Sequence, residues 1–160
     1  MMTSDLAAEL ASVLIRKRCT LALAESCTGG KISSLMTDAP GASEFFMGCA
    51  VVYSNTSKER ILGVSHGTIA AHGSVSAETA KEMATGARDV LGSDIAASVT
   101  GIAGPGGGSA EKPVGTVFIA VTDGKREECR KLMLSGSRTQ IRDAAAAGVI
   151  RLLIEFTGGR

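Results

Sequence analysis

The sequence is poor in aromatic side chains and has almost no net charge. Its 160 residues include no Trp, one Tyr and four Phe, and 17 Lys and Arg residues nearly balance 16 Asp and Glu. Aromatic side chains stack on bases and anchor large interfaces, whereas a strongly basic surface attracts nucleic acid or anionic lipid. We therefore expect no nucleic acid and no membrane among the partners of this chain.

Metal-ligand motifs and long apolar segments are missing as well. The four cysteines are widely spaced without a C-x-x-C pair, and there are only two histidines, so no metal-ligand cluster can be recognised. The longest uncharged stretch, residues 95–110, is broken by glycines and Pro105. A membrane span needs about 20 apolar residues, and a secretory signal needs a basic start and an apolar run. We expect reduced thiols and a cytoplasmic protein.

Length and hydrophobic periodicity predict one α/β domain over residues 1–160, since 44% of the side chains are hydrophobic and the length suits a single core. Apolar residues at helical spacing predict helices, and short apolar or β-branched runs predict strands. We predict strands at residues 20–25, 45–53, 94–100, 114–122 and 126–134. Helices are predicted before, between and after them, whereas residues 64–73 are predicted to be a connection. This order predicts a three-layer α/β/α sandwich with a mixed, largely parallel sheet.

Functional loops in such folds gather at the carboxyl ends of strands, where residues 26–30 form a sharp bend between a strand and a helix. Ser26, Cys27 and Thr28 precede two glycines here. Ser and Thr are common helix N-caps, which alone explains the composition. The alternative is a nucleophile at a helix N-terminus whose N–H groups stabilise an oxyanion or bind phosphate. Spacing leaves both interpretations open, and a reactive Cys27 thiolate is a weaker third.

A serine nucleophile needs a base, and neither histidine has an obvious acidic partner in the sequence, so a Ser-His-Asp triad is poorly supported. Lys58 follows the strand that ends near Tyr53 and can reach the same edge of the sheet. A lysine acts as a base when burial lowers its pKa. The alternative is a solvated helix charge, because Lys58 is followed by Glu59 and Arg60.

A glycine-rich loop follows the third predicted strand at residues 100–108. No Gly-Lys-Ser/Thr follows it, and Ser109 occupies the place of the third glycine of G-x-G-x-x-G, so ATP and dinucleotide motifs are absent. Its unobstructed N–H groups suit a phosphate or carbonyl oxygen, and a merely flexible loop is the alternative. Lys112 supplies a nearby cation, and Arg138 either contacts an anion or meets solvent.

Three ordered motifs together closely resemble the CinA C-terminal domain family. They are AESCTGG at residues 24–30, the stretch from Gly48 through YSN to Lys58 and LGV at residues 62–64, and VTGIAGP at residues 99–105 with KPVGT at residues 112–116. The resemblance extends over residues 21–122 and, less distinctively, into the last helix. One departure is Gly-Ser-Val-Ser at residues 73–76, where the family more often has Gly-Ala-Val-Ser.

The resemblance implies an activity, because characterised members of the family are nicotinamide mononucleotide deamidases of pyridine nucleotide recycling. It implies Ser26 as nucleophile, Lys58 as base, Tyr53 and Thr100 as neighbouring catalytic-site residues, no metal or organic cofactor, and a homodimer or higher homo-oligomer. Longer CinA proteins carry an additional N-terminal pyrophosphatase domain. The 160 residues of this sequence leave no room for it, so we expect a stand-alone domain. The residues expected to bind the nucleotide substrate are Cys27, Thr28, Gly29, Gly30, Asn55, Gly101, Gly104, Gly106, Gly107, Lys112 and Arg138.

Two other functions remain open at this point. Some CinA proteins are linked to competence and to the recombinase RecA, so the chain could be a nucleotide-sensing or partner-binding module. It could also be an amidase for a different nucleotide-like amide. Ammonia release from nicotinamide mononucleotide separates the first alternative from an amidase, and ammonia release from another substrate identifies the second.

Overall fold

A five-stranded sheet lies between two layers of helices in the computed structural model, which describes residues 1–158. The strands are β1 (Leu21–Glu25), β2 (Phe46–Val51), β3 (Ile95–Gly101), β4 (Thr116–Thr122) and β5 (Glu127–Met133). The helices are α1 (Thr3–Lys17), α2 (Lys31–Asp38), α3 (Asn55–Leu62), α4 (His66–His72), α5 (Ala77–Leu91) and α6 (Arg138–Phe156), with a short 3-10 helix at Ala42–Glu44.

The strand order is β2-β1-β3-β4-β5, with parallel pairing of β1 to both β2 and β3. Strand β4 is antiparallel to both of its neighbours, so four strands run one way and one runs the other. The predicted α/β sandwich with a mixed, largely parallel sheet is confirmed. Because β1, β2 and β3 are parallel, their carboxyl ends meet at one edge of the sheet.

Side-chain alternation along β1 divides the core between the two helical layers. Leu21 and Leu23 belong to a cluster with buried residues of α1, α2 and α6, whereas Ala22 and Ala24 pack with residues of α3 and α5. Gly86 of α5 faces the main chain of Leu62 so closely that a Cβ would collide with the Leu62 carbonyl. The small residues on this side therefore bring α3 close to α5 and fix the helix that carries Lys58.

One predicted connection is wrong, because residues 66–72 form helix α4. The helix has seven residues and none of them is buried, so it lacks the apolar stripe by which a helix is recognised in a sequence. The histidines at its two ends also have acidic neighbours: His66 Nδ1 lies 3.0 Å from Glu59 and His72 Nδ1 lies 3.7 Å from Glu78.

Within residues 1–158, no helix is long and apolar enough to cross a membrane.

Candidate functional site

The turn after β1 holds Ser26 at the edge of the sheet. The Ser26 N–H donates to the Val99 carbonyl of β3 at 3.1 Å, which continues the strand register into the turn. Gly29 and Gly30 then adopt φ values of +59° and +98°, which side chains rarely tolerate. Helix α2 begins only at Lys31, with Gly30 as its N-cap and no side-chain cap from Ser26 or Thr28. The N-cap interpretation of these two hydroxyls is therefore wrong.

The capping acceptor is instead the carboxylate of Glu25, which is fully buried. Oε2 accepts from the Thr28 hydroxyl at 2.6 Å and the Gly30 N–H at 3.0 Å, and Oε1 accepts from the Ser33 N–H at 2.8 Å. A third backbone donor, the N–H of Ile32, lies 3.3 Å from Oε2. The negative charge thus sits at the positive end of α2. Glu25 directly precedes the candidate nucleophile, but no role was predicted for it.

Lys58 lies in α3 with its ammonium group buried against Ser26. Ser54 caps this helix by accepting from the Ser57 N–H at 3.1 Å. Because the cap fixes where the helix begins, it also fixes that Lys58 lies on the buried face. The Lys58 residue is 2% exposed, and Nζ donates to Ser26 Oγ at 3.1 Å and to the Tyr53 carbonyl at 3.0 Å. None of the carboxylates described lies within 4.0 Å of Nζ. Burial therefore lowers the pKa of Lys58 from its ordinary value.

Tyr53 and Thr100, the two other predicted catalytic-site residues, make different contacts. The Tyr53 side chain is 64% exposed, and its hydroxyl accepts from Arg138 Nη2 at 3.2 Å. Thr100 is buried at the end of β3, and its hydroxyl donates to the Ser74 carbonyl at 2.7 Å. Asn55 is exposed in the first turn of α3. The structure therefore brings Ser26 and Lys58 into direct contact, with the Tyr53 main chain as the second partner of the lysine.

A cavity of about 440 Å³ is lined in part by Tyr53, and its volume is typical of small-molecule sites. Arg138 and Lys112 contribute its two cations, with Arg138 Nη1 donating to the Gly104 carbonyl at 2.6 Å and Lys112 Nζ to the His72 carbonyl at 2.7 Å. Ser26 and Lys58 are not among its lining residues, which are Tyr53, Gly73, Ser74, Val75, Gly101, Ile102, Ala103, Gly104, Gly106, Gly107, Ser109, Lys112 and Arg138.

The polar groups of the Ser26 turn divide into bonded and unbonded ones. The Thr28 hydroxyl and the Gly30 N–H donate hydrogen bonds to Glu25, and the Gly29 N–H donates to the Ser26 carbonyl at 3.1 Å. The N–H groups of Cys27 and Thr28 donate to no other residue within the part of the chain described. They are therefore the groups after Ser26 that remain available to a developing oxyanion.

The thiol of Cys27 is buried beside Ser26. Burial raises the pKa of this thiol to about 11, so it stays protonated near neutral pH and is a poor nucleophile. The structure gives no support to thiolate chemistry at Cys27. All four cysteines are free, and residues 1–158 contain no group of three or more His, Cys, Asp or Glu side chains that could hold a metal ion.

The CinA C-terminal domain family model matches residues 3–157. The chain belongs to this family. A CinA-like protein of Geobacter metallireducens is 54% identical over 127 residues, covering 79% of this chain and 31% of the relative. This chain spans about a third of the length of the curated relatives it matches.

Two solved CinA-family structures have the same fold over nearly the whole chain. A competence-damaged protein (CinA) superfamily protein from Klebsiella pneumoniae is 30% identical, with a TM-score of 0.95 and coverage of 99% of both chains. The competence/damage inducible protein CihA from Agrobacterium tumefaciens is 37% identical, with a TM-score of 0.93 and coverage of 96% of this chain and 94% of that one. The names of these relatives describe competence and damage rather than a reaction.

Proposed function

We propose that this CinA domain hydrolyses the carboxamide of nicotinamide mononucleotide to nicotinate mononucleotide and ammonia. The observation that carries the proposal is the 3.1 Å contact between Lys58 Nζ and Ser26 Oγ, because both residues are buried and the lysine has no carboxylate partner among the residues described. A buried lysine with a lowered pKa next to a serine hydroxyl is a nucleophile-base pair. The proposed substrate rests on the family resemblance, and the proposed mechanism rests on the contact between Ser26 and Lys58.

In the proposed acylation step, neutral Lys58 accepts the proton of Ser26 while Oγ attacks the amide carbon. The carbonyl oxygen becomes an oxyanion that accepts hydrogen bonds from the N–H groups of Cys27 and Thr28. Lys58 then returns the proton to the amide nitrogen, the carbon–nitrogen bond breaks, and ammonia leaves the acyl-enzyme. Water, deprotonated by Lys58, cleaves the ester and releases nicotinate mononucleotide and the Ser26 hydroxyl.

We assign the nucleotide to the 440 Å³ cavity and its phosphate to the glycine-rich loop at residues 101–108. Backbone N–H groups without side chains bind an oxyanion at low net protein charge. Arg138 and Lys112 line the same cavity and add positive charge. Arg138 also bonds the Tyr53 hydroxyl, and the Tyr53 carbonyl bonds Lys58. Binding of the phosphate is therefore linked to the catalytic lysine through a single residue.

The test is ammonia release from nicotinamide mononucleotide, nicotinamide riboside and free nicotinamide, with the Ser26→Ala variant as the blank. We expect release from the mononucleotide, far slower release from the other two, and none in the variant. Equal rates with all three compounds would contradict the phosphate assignment. No release from a folded protein that still binds the nucleotide would favour the nucleotide-sensing or partner-binding function instead.

We also propose a homodimer or higher homo-oligomer, as the family resemblance implies. Edge strand β2 supports this proposal, because it exposes Met47 and Val51 beside unpaired main-chain groups. Light scattering on the purified protein measures the mass directly, and a monomer at micromolar concentration would contradict the proposal.

A further inference from the structure

The side chain of Arg142 donates hydrogen bonds to the turn that follows the candidate nucleophile Ser26. It lies in α6, one helical turn after Arg138, so the two side chains leave the same face of the helix. Arg142 Nε donates to the Cys27 carbonyl at 2.9 Å, and Nη2 donates to the Thr28 carbonyl at 2.9 Å. A guanidinium group is rigid and planar, so these two bonds fix two successive peptide units relative to α6.

One of the two carbonyls belongs to a peptide whose N–H matters to the proposed reaction. The Cys27 carbonyl shares its peptide unit with the Thr28 N–H, one of the two N–H groups that no other described residue bonds. A cation at a peptide oxygen draws electron density from the nitrogen, so the N–H at the far end becomes a stronger donor. The bond to Arg142 therefore orients this N–H and also increases its strength as a donor.

We propose that Arg142 is a positioning residue that fixes and polarises the Cys27–Thr28 peptide, so that its N–H stabilises the oxyanion formed during attack by Ser26. The inference rests on the proposed function. Glu25 binds the same turn through the Thr28 hydroxyl and the Gly30 N–H. Arg142 binds carbonyls and Glu25 binds donors, and between them they leave the Cys27 and Thr28 N–H groups unbonded.

A close approach at Gly29 supports this role for Arg142. A Cβ on Gly29 would lie 3.2 Å from Arg142 Nη2, tighter than ordinary van der Waals contact. The guanidinium group therefore fits beside Gly29 because Gly29, which has a φ of +59°, carries no side chain. This packing gives Arg142 a defined place against the turn.

The experiment replaces Arg142 by Lys, which keeps the charge but cannot span two carbonyls, and by Gln, which removes the charge. Arg151→Lys is the matched control, since Arg151 is exposed on the same helix. We expect kcat for nicotinamide mononucleotide to fall by about 10- to 100-fold in both Arg142 variants, less than after removal of an oxyanion-hole donor because the Thr28 N–H itself remains, with KM within about threefold. Thermal unfolding selects the variants that remain folded.

A second readout does not depend on the identity of the substrate. A fluorophosphonate phosphonylates a nucleophilic serine while its phosphoryl oxygen takes the place of the oxyanion. We expect labelling of Ser26 to slow by a similar factor in the Arg142 variants and to be unchanged in Arg151→Lys. Labelling and kcat at the wild-type level in a folded Arg142 variant would overturn the inference, as would a raised KM with unchanged kcat.

Failure of the proposed function has a different signature. Absence of Ser26 labelling in the wild-type protein would show that Ser26 is not a nucleophile, which would remove the basis of both proposals. Rapid wild-type labelling without turnover of nicotinamide mononucleotide would leave Arg142 testable by the labelling rate and would overturn only the substrate assignment.

Discussion

Replacing Glu25 by Gln tests whether a buried carboxylate holds the nucleophile turn together. In the native protein the two oxygens accept from the Thr28 hydroxyl and from the N–H groups of Gly30, Ile32 and Ser33. Gln offers only one acceptor oxygen. If that oxygen takes the position of Oε2, the amide NH₂ faces the Ser33 N–H, and two donors then meet in a buried place.

The expected cost follows from these contacts. Leaving the Ser33 N–H without its acceptor costs about 2 kcal/mol, because the lost bond is to a charged group. Removing the negative charge from the N-terminus of α2 costs about 1 kcal/mol more, which gives ~3 kcal/mol in total. For a chain of this size each kcal/mol lowers Tm by roughly 2–4 °C, so Tm should fall by about 6–12 °C.

Calorimetry or circular dichroism measures the shift, with Glu78→Gln as the control. Glu78 also lies in the first turn of a helix, but it is exposed, so its loss should cost at most about 1 kcal/mol. An equal, small change in Tm for both variants would contradict this prediction, since it would mean that Glu25 contributes no more to stability than a solvated carboxylate.

Three further predictions concern the proposed reaction. Lys58 acts as a base only when neutral, so kcat/KM should rise with pH as Lys58, whose pKa is lowered by burial, loses its proton. A kcat/KM that does not change between neutral and alkaline pH would contradict this. Cys27→Ser should keep kcat within about threefold, because the thiol is protonated at a pKa of about 11, and loss of turnover in the folded variant would restore the thiol interpretation. Arg138→Gln should raise KM for the mononucleotide by about tenfold while leaving KM for the riboside unchanged. Steady-state kinetics measure both values, and an equal change in KM for the two substrates would show that Arg138 does not bind the phosphate.

The layers and most elements of the fold could be predicted from the sequence because their patterns are local. The apolar run around Leu23 indicates a strand that is buried on both faces, and the helical period in α5 indicates a helix that is buried on one face. Helix α4 escaped prediction because it buries no residue. Side chains at its ends contact residues outside the helix, as His66 does with Glu59 at 3.0 Å. Such contacts leave no hydrophobic period in the sequence.

The candidate pair could be named from the sequence, but its geometry could not. The separation of Ser26 and Lys58 depends on β1 and β2 being parallel neighbours and on α3 packing close to α5 at Gly86. The role of Glu25 has a local signal, an acidic residue directly before a Ser-x-Thr-Gly-Gly turn, which can be recognised once helix caps supplied from the preceding strand are considered. Arg142 carries no such signal, because its partners lie 114 and 115 residues away in the chain.

Whether Ser26 and Lys58 act as one unit in amide hydrolysis is tested most directly by kcat/KM for nicotinamide mononucleotide in Ser26→Ala, Lys58→Met and the double variant. Groups that act as a unit are strongly non-additive, so each single variant should lose about 100-fold or more and the double variant should be no slower than the slower single one. If the two losses multiply in the double variant, or if folded Ser26→Ala keeps near-normal turnover, Ser26 and Lys58 do not act as one nucleophile-base unit.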